Sequence, residues 1–381
     1  MNLLEVLKDK CVVADGWCRG YPKWKRYGLF LYSEILKVLI GLLKQKFSVS
    51  CVFPSVLASK SEFLSFYKNY KIYDSIPEFV YKDKSYVFVT DALPYNLIKI
   101  DQTNFDAVVA CYSIIRLLKC KVRPMYKDYY IFPVTQIDMQ IDRQDLPDKI
   151  IDVKRILQQF MKSINLNTLI LEYDGKKNYS EKIYMVCAVD GQNKLQSMIQ
   201  WSILSPDLIE NVIGAKDLKS FFDIGFSHKL VAMWVDNHRD RYGIYFPSKM
   251  RKIQVLLAYK NSNGISAKIL EFKDSLKDSV HCINTLGDKK INLKKAAAKL
   301  GLAVLAIHRR DKDREFFDVF TRNSDTKVEV ENVQELISMI KSVNEKTDEF
   351  FYMRKNDIFQ SFYKKGLARI DDYKNLGRII Y

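Results

Sequence analysis

The stretch "KSFFDIGFSHKLVAMWVDNHRDRYGIYFPSKMRKIQV" (219–255) decides how this chain divides. It runs from an apolar segment through His238-Arg239-Asp240-Arg241 into a Tyr242-Gly243 turn and on to a second apolar run. The charged cluster has three readings at this stage: a catalytic site, a nucleic-acid contact, or a structural element at a domain junction. The residue patterns on its two sides differ, so it also marks a boundary.

On the N-terminal side, helix and strand patterns follow one another in no strict βαβ order, which favours an α+β domain. Residues 29–47 carry apolar positions at helical spacing. Residues 48–56, 84–92 and 129–142 are rich in β-branched and aromatic residues and read as strands, as do "TLILEYD" and "KIYMVCAVDG". Residues 105–119 and 148–164 read as helices. On the C-terminal side, a strand at "KIQVLLAY", a polar segment to 280 and a strand at "HCINTL" come first. A helix "NLKKAAAKLGL" follows, with Gly301 as its C-terminal cap, then three strands and the helix "VQELISMIKSV". That pattern predicts a compact α/β domain. The expected domains are residues 1–250, 251–345 and a charged, aromatic tail 346–381 with a helix near 349–366.

The chain has 381 residues, 48% of them hydrophobic and 28% charged, which is enough apolar content for real cores. Its formal charge is +16, with a pI near 9.3. Such a surplus favours a polyanionic partner, since neutralising phosphates releases counterions; a Lys-rich genome composition would give the same surplus without binding. The 7 cysteines form no C-x-x-C pair and suit neither a disulfide framework nor a zinc site. His228, His238, His281 and His308 lack metal-ligand spacing, and no Gly-rich phosphate loop or G-x-S-x-G appears. No cofactor is expected. The most apolar window, 29–47, carries Glu34, Lys37 and Lys44, which argues for a core helix over a membrane span of about 20 apolar residues. No membrane association is expected, and the compartment is read as cytoplasm or an organelle matrix.

Several segments resemble prolyl-tRNA synthetases of the archaeal and eukaryotic type, within the class II aminoacyl-tRNA synthetases. "DIGFSHKLVA" and "HRDRYGIYFPSKMRKIQV" match that family's terminal catalytic motif and the H-G-D-D-x-G-L and P-P-K-x-A-P-x-Q-V segments after it, sharing Gly225, Ser227, Leu230, His238, Asp240, Gly243, Pro247, Lys249, Gln254 and Val255. "KRYGLFLYSEIL" (25–36), "VSCVFPSVLASKSEFL" with Pro54, "DGQNKLQSMIQW" (190–201) and "KLGLAVLAIHRRD" resemble further family segments in the same order. The resemblance implies a class II synthetase-like antiparallel-sheet domain followed by an α/β anticodon-binding-like domain.

The family's chemistry looks depleted here. Arg123 stands for the family's first phosphate-contacting arginine and Lys229 for its last, and the pair is read as a vestigial ATP pocket. Lysine cannot reproduce an arginine's forked contact. Met125 occupies a glutamate position, and Ile199-Gln200-Trp201 replaces T-S-H, which would put bulk into the substrate pocket. Each lost donor costs roughly 2.7–4 kcal/mol of transition-state stabilisation. The expectation is a catalytically inactive paralogue, not an enzyme, with no catalytic residues and no counterpart of the family's zinc-binding domain. The expected function is binding of structured RNA (tRNA, ribosomal or another ribonucleoprotein) through the C-terminal domain. Candidate nucleic-acid contacts are Lys289, Lys290, Lys294, Lys295, Arg309 and Arg310, with Arg239 and Arg241 added in the quoted stretch. The alternatives are an accessory subunit of a larger complex such as a DNA polymerase, or a residual ATP-dependent amino-acid-activating enzyme. A homodimer, or a heterodimer with another synthetase-fold protein, is the expected assembly.

Overall fold

The computed structural model describes residues 7–8, 12–14, 23–67, 76–115, 131–173, 179–214, 218–260, 264–285, 292–311, 314–322, 324–364 and 369–370. The chain forms two compact units, Met1–Asp236 with Lys355–Tyr381, and Asn237–Arg354.

The first unit opens with a short pair, β1 (Val13–Ala14) and β2 (Lys23–Trp24), before α1 (Arg26–Leu43). Helix α1 buries Leu31, Ile35, Leu39 and Leu42, one stripe at spacings of three and four. Then come β3 (Val49–Val52), β4 (Leu57–Ser59), α2 (Lys60–Ser65), β5 (Glu78–Tyr81), β6 (Lys84–Phe88), α3 (Leu93–Asp101), β7 (Ala107–Ile115) and β8 (Ile131–Asp142). The unit continues with α4 (Leu146–Ser163), β9 (Leu169–Tyr173), β10 (Ser180–Val189), β11 (Leu195–Leu204), α5 (Pro206–Ile213), β12 (Lys219–Ser227) and α6 (His228–Asn237).

An eight-stranded sheet is its frame, in the order β20-β9-β10-β11-β12-β8-β7-β3, where β20 is Arg369–Ile370. All its pairings are antiparallel except β3 with β7 and β20 with β9. On one face, Phe160 of α4 meets Phe226 with ring centroids 6.4 Å apart, and Tyr32 of α1 meets Thr135 at 2.6 Å. The opposite face packs Val108, Leu204 and Phe221 against α3 and α5 through Leu97, Ile100 and Leu208. Strands β4, β6 and β5 form a separate three-stranded sheet.

Residues 105–119 were expected to be helical, yet Ala107–Ile115 is a strand. Ala107, Val108, Val109 and Ala110 are all fully buried. A strand covered on both faces reads as a continuous apolar run, and periodicity alone does not separate it from a buried helix.

The second unit holds β13 (Arg239–Asp240), β14 (Gly243–Ile244), β15 (Val255–Tyr259), α7 (Ala267–Leu276), β16 (Val280–Asn284), α8 (Leu293–Lys299), β17 (Val304–Asp311), β18 (Arg314–Thr321), β19 (Ser324–Val330) and α9 (Val333–Met353). Its five-stranded sheet runs β16-β15-β17-β18-β19, parallel around β15 and antiparallel through the β17–β19 meander. Helices α7 and α9 cover one face through Ile269, Phe272, Leu336 and Ile340. Helix α8 covers the other through Ala297, against Leu256, Leu302 and Leu305. Helix α7 lies in the segment read only as polar; its buried residues are just Ile269 and Phe272, too sparse a stripe to see.

Gly301 ends α8 as expected. At φ +70° it takes the left-handed cap, while its N–H reaches Ala298 O and that of Leu302 reaches Ala297 O, both at 3.0 Å. The expected helix at 349–366 is two helices: α9 runs to Met353, and α10 (Asn356–Lys364) belongs to the first unit. There Phe359 packs with Leu169 and Ile183, and Lys355 Nζ donates to Val189 O at 2.7 Å.

Residues 237–250 join the second unit, where the expected boundary stood at 250. Tyr245 OH and Ser248 Oγ both donate to the Asp348 carboxylate, at 2.6 and 2.5 Å. Arg251 donates to Phe246 O, Gly301 O and Asn344 Oδ1 at 2.6–2.8 Å. Among the described residues, no helix is long and apolar enough to cross a membrane.

Candidate functional site

The polar face of the large sheet concentrates chemistry that sequence reading missed. Pairing places Ser202, Asp223, Asp138 and Val108 in one lateral row, and Gln200, Gly225, Gln136 and Ala110 in the next. With no side chain at Gly225, Gln200 and Gln136 face each other over a gap of two strand spacings, about 9–10 Å. Asp91, just before α3, completes the group. Asp91, Asp138 and Asp223 are all buried.

Gln136 is the hub of this cluster. Its Nε2 donates to Asp91 Oδ1 at 2.9 Å and to Asp223 Oδ1 at 3.2 Å. Its Oε1 accepts from Tyr112 OH at 2.6 Å and from Ala92 N at 3.1 Å. Tyr67 OH donates to Asp91 Oδ2 at 3.0 Å, and Asn96 Nδ2 to Asp138 Oδ2 at 2.7 Å. Gln200 Nε2 donates to Ser202 Oγ at 3.0 Å, while its buried Oε1 has no hydrogen-bond partner among the described residues.

Burial first, and the charge of Asp223 second, push the Asp138 carboxyl well above the usual carboxylate range. Asp223 is pushed up to about 8, by burial first and by the charge of Asp91 second. The facing pair therefore keeps a proton at neutral pH. This face offers acceptors and a held proton, the chemistry to receive a donor-rich group.

Its relation to the expected ATP pocket is limited. Arg123 lies outside the described residues. Lys229 is half-buried in the first turn of α6, its N–H donating to Ser227 Oγ at 3.4 Å. The bulk expected from Ile199-Gln200-Trp201 is mostly elsewhere. Strand alternation sends Trp201 to the opposite face, stacked on Tyr184 at 4.5 Å and edge-on to Phe222 at 5.3 Å, so of the three only Gln200 shares the sheet face of the acid cluster.

In the second unit, the quoted cluster resolves into packing and an ion pair. His238 is fully buried and stacks on Phe351 at 5.9 Å. Asp240 takes both arms of Arg322, each at 2.7 Å, while Arg322 also donates to Gly243 O at 2.8 Å. Arg241 lies over the Tyr242 ring at 4.7 Å, and its Nη2 donates to Tyr242 OH at 2.5 Å. Arg239 sits in β13, and its carbonyl accepts from Arg354 Nη1 at 2.6 Å.

The basic candidates separate into two groups. Arg309 pairs with Asp318 at 3.1 Å and Arg310 with Glu315 at 3.4 Å, so carboxylates on the neighbouring strand offset both. Lys294, Lys295 and Lys299 of α8 are exposed and have no carboxylate partner among the described residues. Lys294 Nζ lies 4.9 Å from the centre of the Phe320 ring. Beside it is a small cavity of about 50 Å³, lined in part by Tyr242, Lys294, Phe320 and Ser324. Lys289 and Lys290 lie outside the described residues.

No protein-family model matches the chain. No curated protein matches it either. Among solved structures it is similar to prolyl-tRNA synthetase from Cryptosporidium parvum complexed with halofuginone and AMPPNP, at TM-score 0.76 and 12% identity over 94% of this chain and 80% of that one. The same enzyme complexed with L-proline and AMP matches at TM-score 0.74, with the same identity and coverage. The large antiparallel-rich sheet thus resembles a class II synthetase catalytic domain, as the sequence resemblance implied. The expectation that the chain is not an enzyme is corrected here. The fold of those ligand-bound synthetases extends over 94% of the chain, so the substitutions read from the sequence are no ground for setting the chain apart from that fold or for calling it inactive. The chain has the fold of an aminoacyl-tRNA synthetase.

Proposed function

We propose that this synthetase-fold protein binds structured RNA, with tRNA the first candidate, through the α8 face of its second unit. The observation that carries the reading is the set Lys294, Lys295 and Lys299, exposed and without carboxylate partners among the described residues, with Lys294 beside Phe320 and Tyr242. Lysines contact the phosphate backbone, and aromatic faces stack on unpaired bases, the combination that single-stranded RNA loops use. Arg241, lying along Tyr242, adds a cation to the same cluster. Arg309 and Arg310 contribute less, because bound RNA must compete with Asp318 and Glu315 for them. The likeness to proteins named as tRNA synthetases supports an RNA of the tRNA class.

The test is titration of labelled tRNA into the full chain at several salt concentrations. Lys294→Glu/Lys295→Glu/Lys299→Glu should weaken binding and lower the salt slope by about 2–3, at roughly 0.7–0.9 per lost phosphate contact. Lys341→Glu/Lys346→Glu on α9 should change both far less. Equal loss in the two variants, or no loss in either, would overturn the assignment.

The dimer reading rests on a different observation. Phe53 is 89% exposed and Val56 54% exposed beside the edge strand β3. Phe53→Glu should lower the sedimentation mass if a second subunit covers this edge, and an unchanged mass would remove the reading.

A further inference from the structure

The small sheet of the first unit borders a cavity of about 400 Å³ that the polar sheet face does not explain. Pairing puts Phe79 of β5 directly across from Tyr86 of β6, and Tyr86 across from Ser59 of β4. Tyr81, two residues along β5, shares their face. Tyr95 of α3 and Glu62 of α2 line the same cavity. The Phe79 and Tyr86 rings stack with centroids 5.5 Å apart, and Tyr95 is braced edge-on by Phe66 at 6.0 Å.

Two features separate this cavity from an ordinary piece of core. Phe79 is 37% exposed and Tyr81 57%, so the rings surround the space without closing it. The polar groups are also left over. Among the described residues, the Tyr95 hydroxyl is buried without a hydrogen-bond partner. Lys60, the nearest lysine in sequence to Glu62, pairs instead with Glu78. A chain of charge +16 has many cations to spare, yet among the described residues Glu62 makes no ion pair.

Aromatic faces carry negative quadrupole charge and attract cations within about 6 Å of the ring centre, above all organic ammonium groups that shed water easily. The site already shows that preference, because Lys82 Nζ of the β5–β6 turn lies 5.3 Å from the Tyr81 ring centre. A carboxylate among the rings excludes anions and adds charge complementarity. A volume of this size lies within the range of small-molecule sites. We propose that Phe79, Tyr81, Tyr86 and Tyr95, with Glu62, form a binding site for an organic ammonium group carrying an apolar body. The rings hold the cation's face, Glu62 offsets its charge, and the Tyr95 hydroxyl accepts a hydrogen bond where the ligand has one to donate. The group is presented either by a free amine or by a lysine side chain.

The test is calorimetric titration of the full chain with choline and with its neutral carbon isostere, 3,3-dimethylbutanol. Choline should bind saturably and at least tenfold more tightly than the isostere. Glu62→Gln, at an exposed position, should lower choline affinity several-fold with the unfolding midpoint unchanged. Tyr81→Leu should lower it while leaving 3,3-dimethylbutanol within twofold. A trimethyllysine peptide binding more tightly than choline would assign the source to a polypeptide side chain, and the reverse order to a free amine. Equal affinity for choline and its isostere would overturn the proposal in favour of a purely apolar pocket. No saturable binding of any probe would overturn it outright. None of these readouts depends on RNA, so the proposal and the RNA reading fail separately.

Discussion

The polar face of the large sheet and the α8 face of the second unit treat charge in opposite ways. The first buries three carboxylates and meets them with the Gln136 and Asn96 amides, the Tyr67 hydroxyl and a retained proton. The second leaves three lysines in solvent and pairs Arg309 and Arg310 with carboxylates on the neighbouring strand. In the buried site, charge is limited by desolvation, and the pair titrates where free carboxylates do not. On the surface, charge stays available to a polyanion, at an affinity that salt controls. A basic composition alone separates neither case, since Arg309 and Arg310 belong to it and are largely compensated.

The contrast can be broken most severely at Arg322. Removing one partner of a buried ion pair strands the other, at about 3–5 kcal/mol. Arg322→Met should therefore raise hydrogen exchange across β13, β14 and β18 by two orders of magnitude or more, with the amides of β10–β12 unaffected. Uniform protection in both variant and parent would show that the Asp240 contact is only ornamental.

Asp223 sharpens the other half of the comparison. Its folded pKa is raised, so the folded chain binds more protons than the unfolded chain between about pH 4 and pH 8. Stability from this group is therefore present at low pH and falls as pH rises through that window. Asp223→Asn removes this group's share of the dependence, while the buried Asp138 keeps its own. The variant should melt above the parent at pH 8, and the gap should shrink or reverse at pH 5. A pH-independent gap would mean that the carboxyl is not held protonated.

A smaller effect is expected at Asn332, whose Oδ1 caps α9 by accepting from Gln334 N at 2.8 Å and Glu335 N at 3.1 Å. Asn332→Ala should cost about 1 kcal/mol in denaturant unfolding. It leaves the α8 lysines in place, so RNA affinity should stay within twofold.

Parts of this arrangement were legible in the sequence, for reasons of range. The α8 cap at Gly301 is local, written in one residue with a left-handed backbone. The strand–helix order of the second unit was also readable, because its apolar runs are short and bounded. Helix α7, with two buried residues, was not. The Ala107–Ile115 strand was lost because burial on both faces erases the period of two. The acid cluster was invisible for a different reason. Asp91, Asp138 and Asp223 lie far apart in sequence; Asp138 and Asp223 meet only through lateral pairing of β8 with β12, and Asp91 joins them through Gln136 from the segment before α3. The compensation of Arg310 by Glu315 could have been foreseen, since the two face each other across the β17–β18 hairpin. The order of family-like motifs pointed to the synthetase fold, while the inactivity inferred from individual substitutions did not survive the structural comparison.

The most direct test of the central claim is ultraviolet crosslinking of the protein to RNA in its own cells, followed by mass spectrometry of the crosslinked peptides and sequencing of the attached RNA. The account predicts adducts on the peptides containing Lys294–Lys299, Phe320 or Tyr242, together with enrichment of tRNA or another structured RNA. Crosslinks confined to the first unit, or no RNA enriched over background, would contradict it.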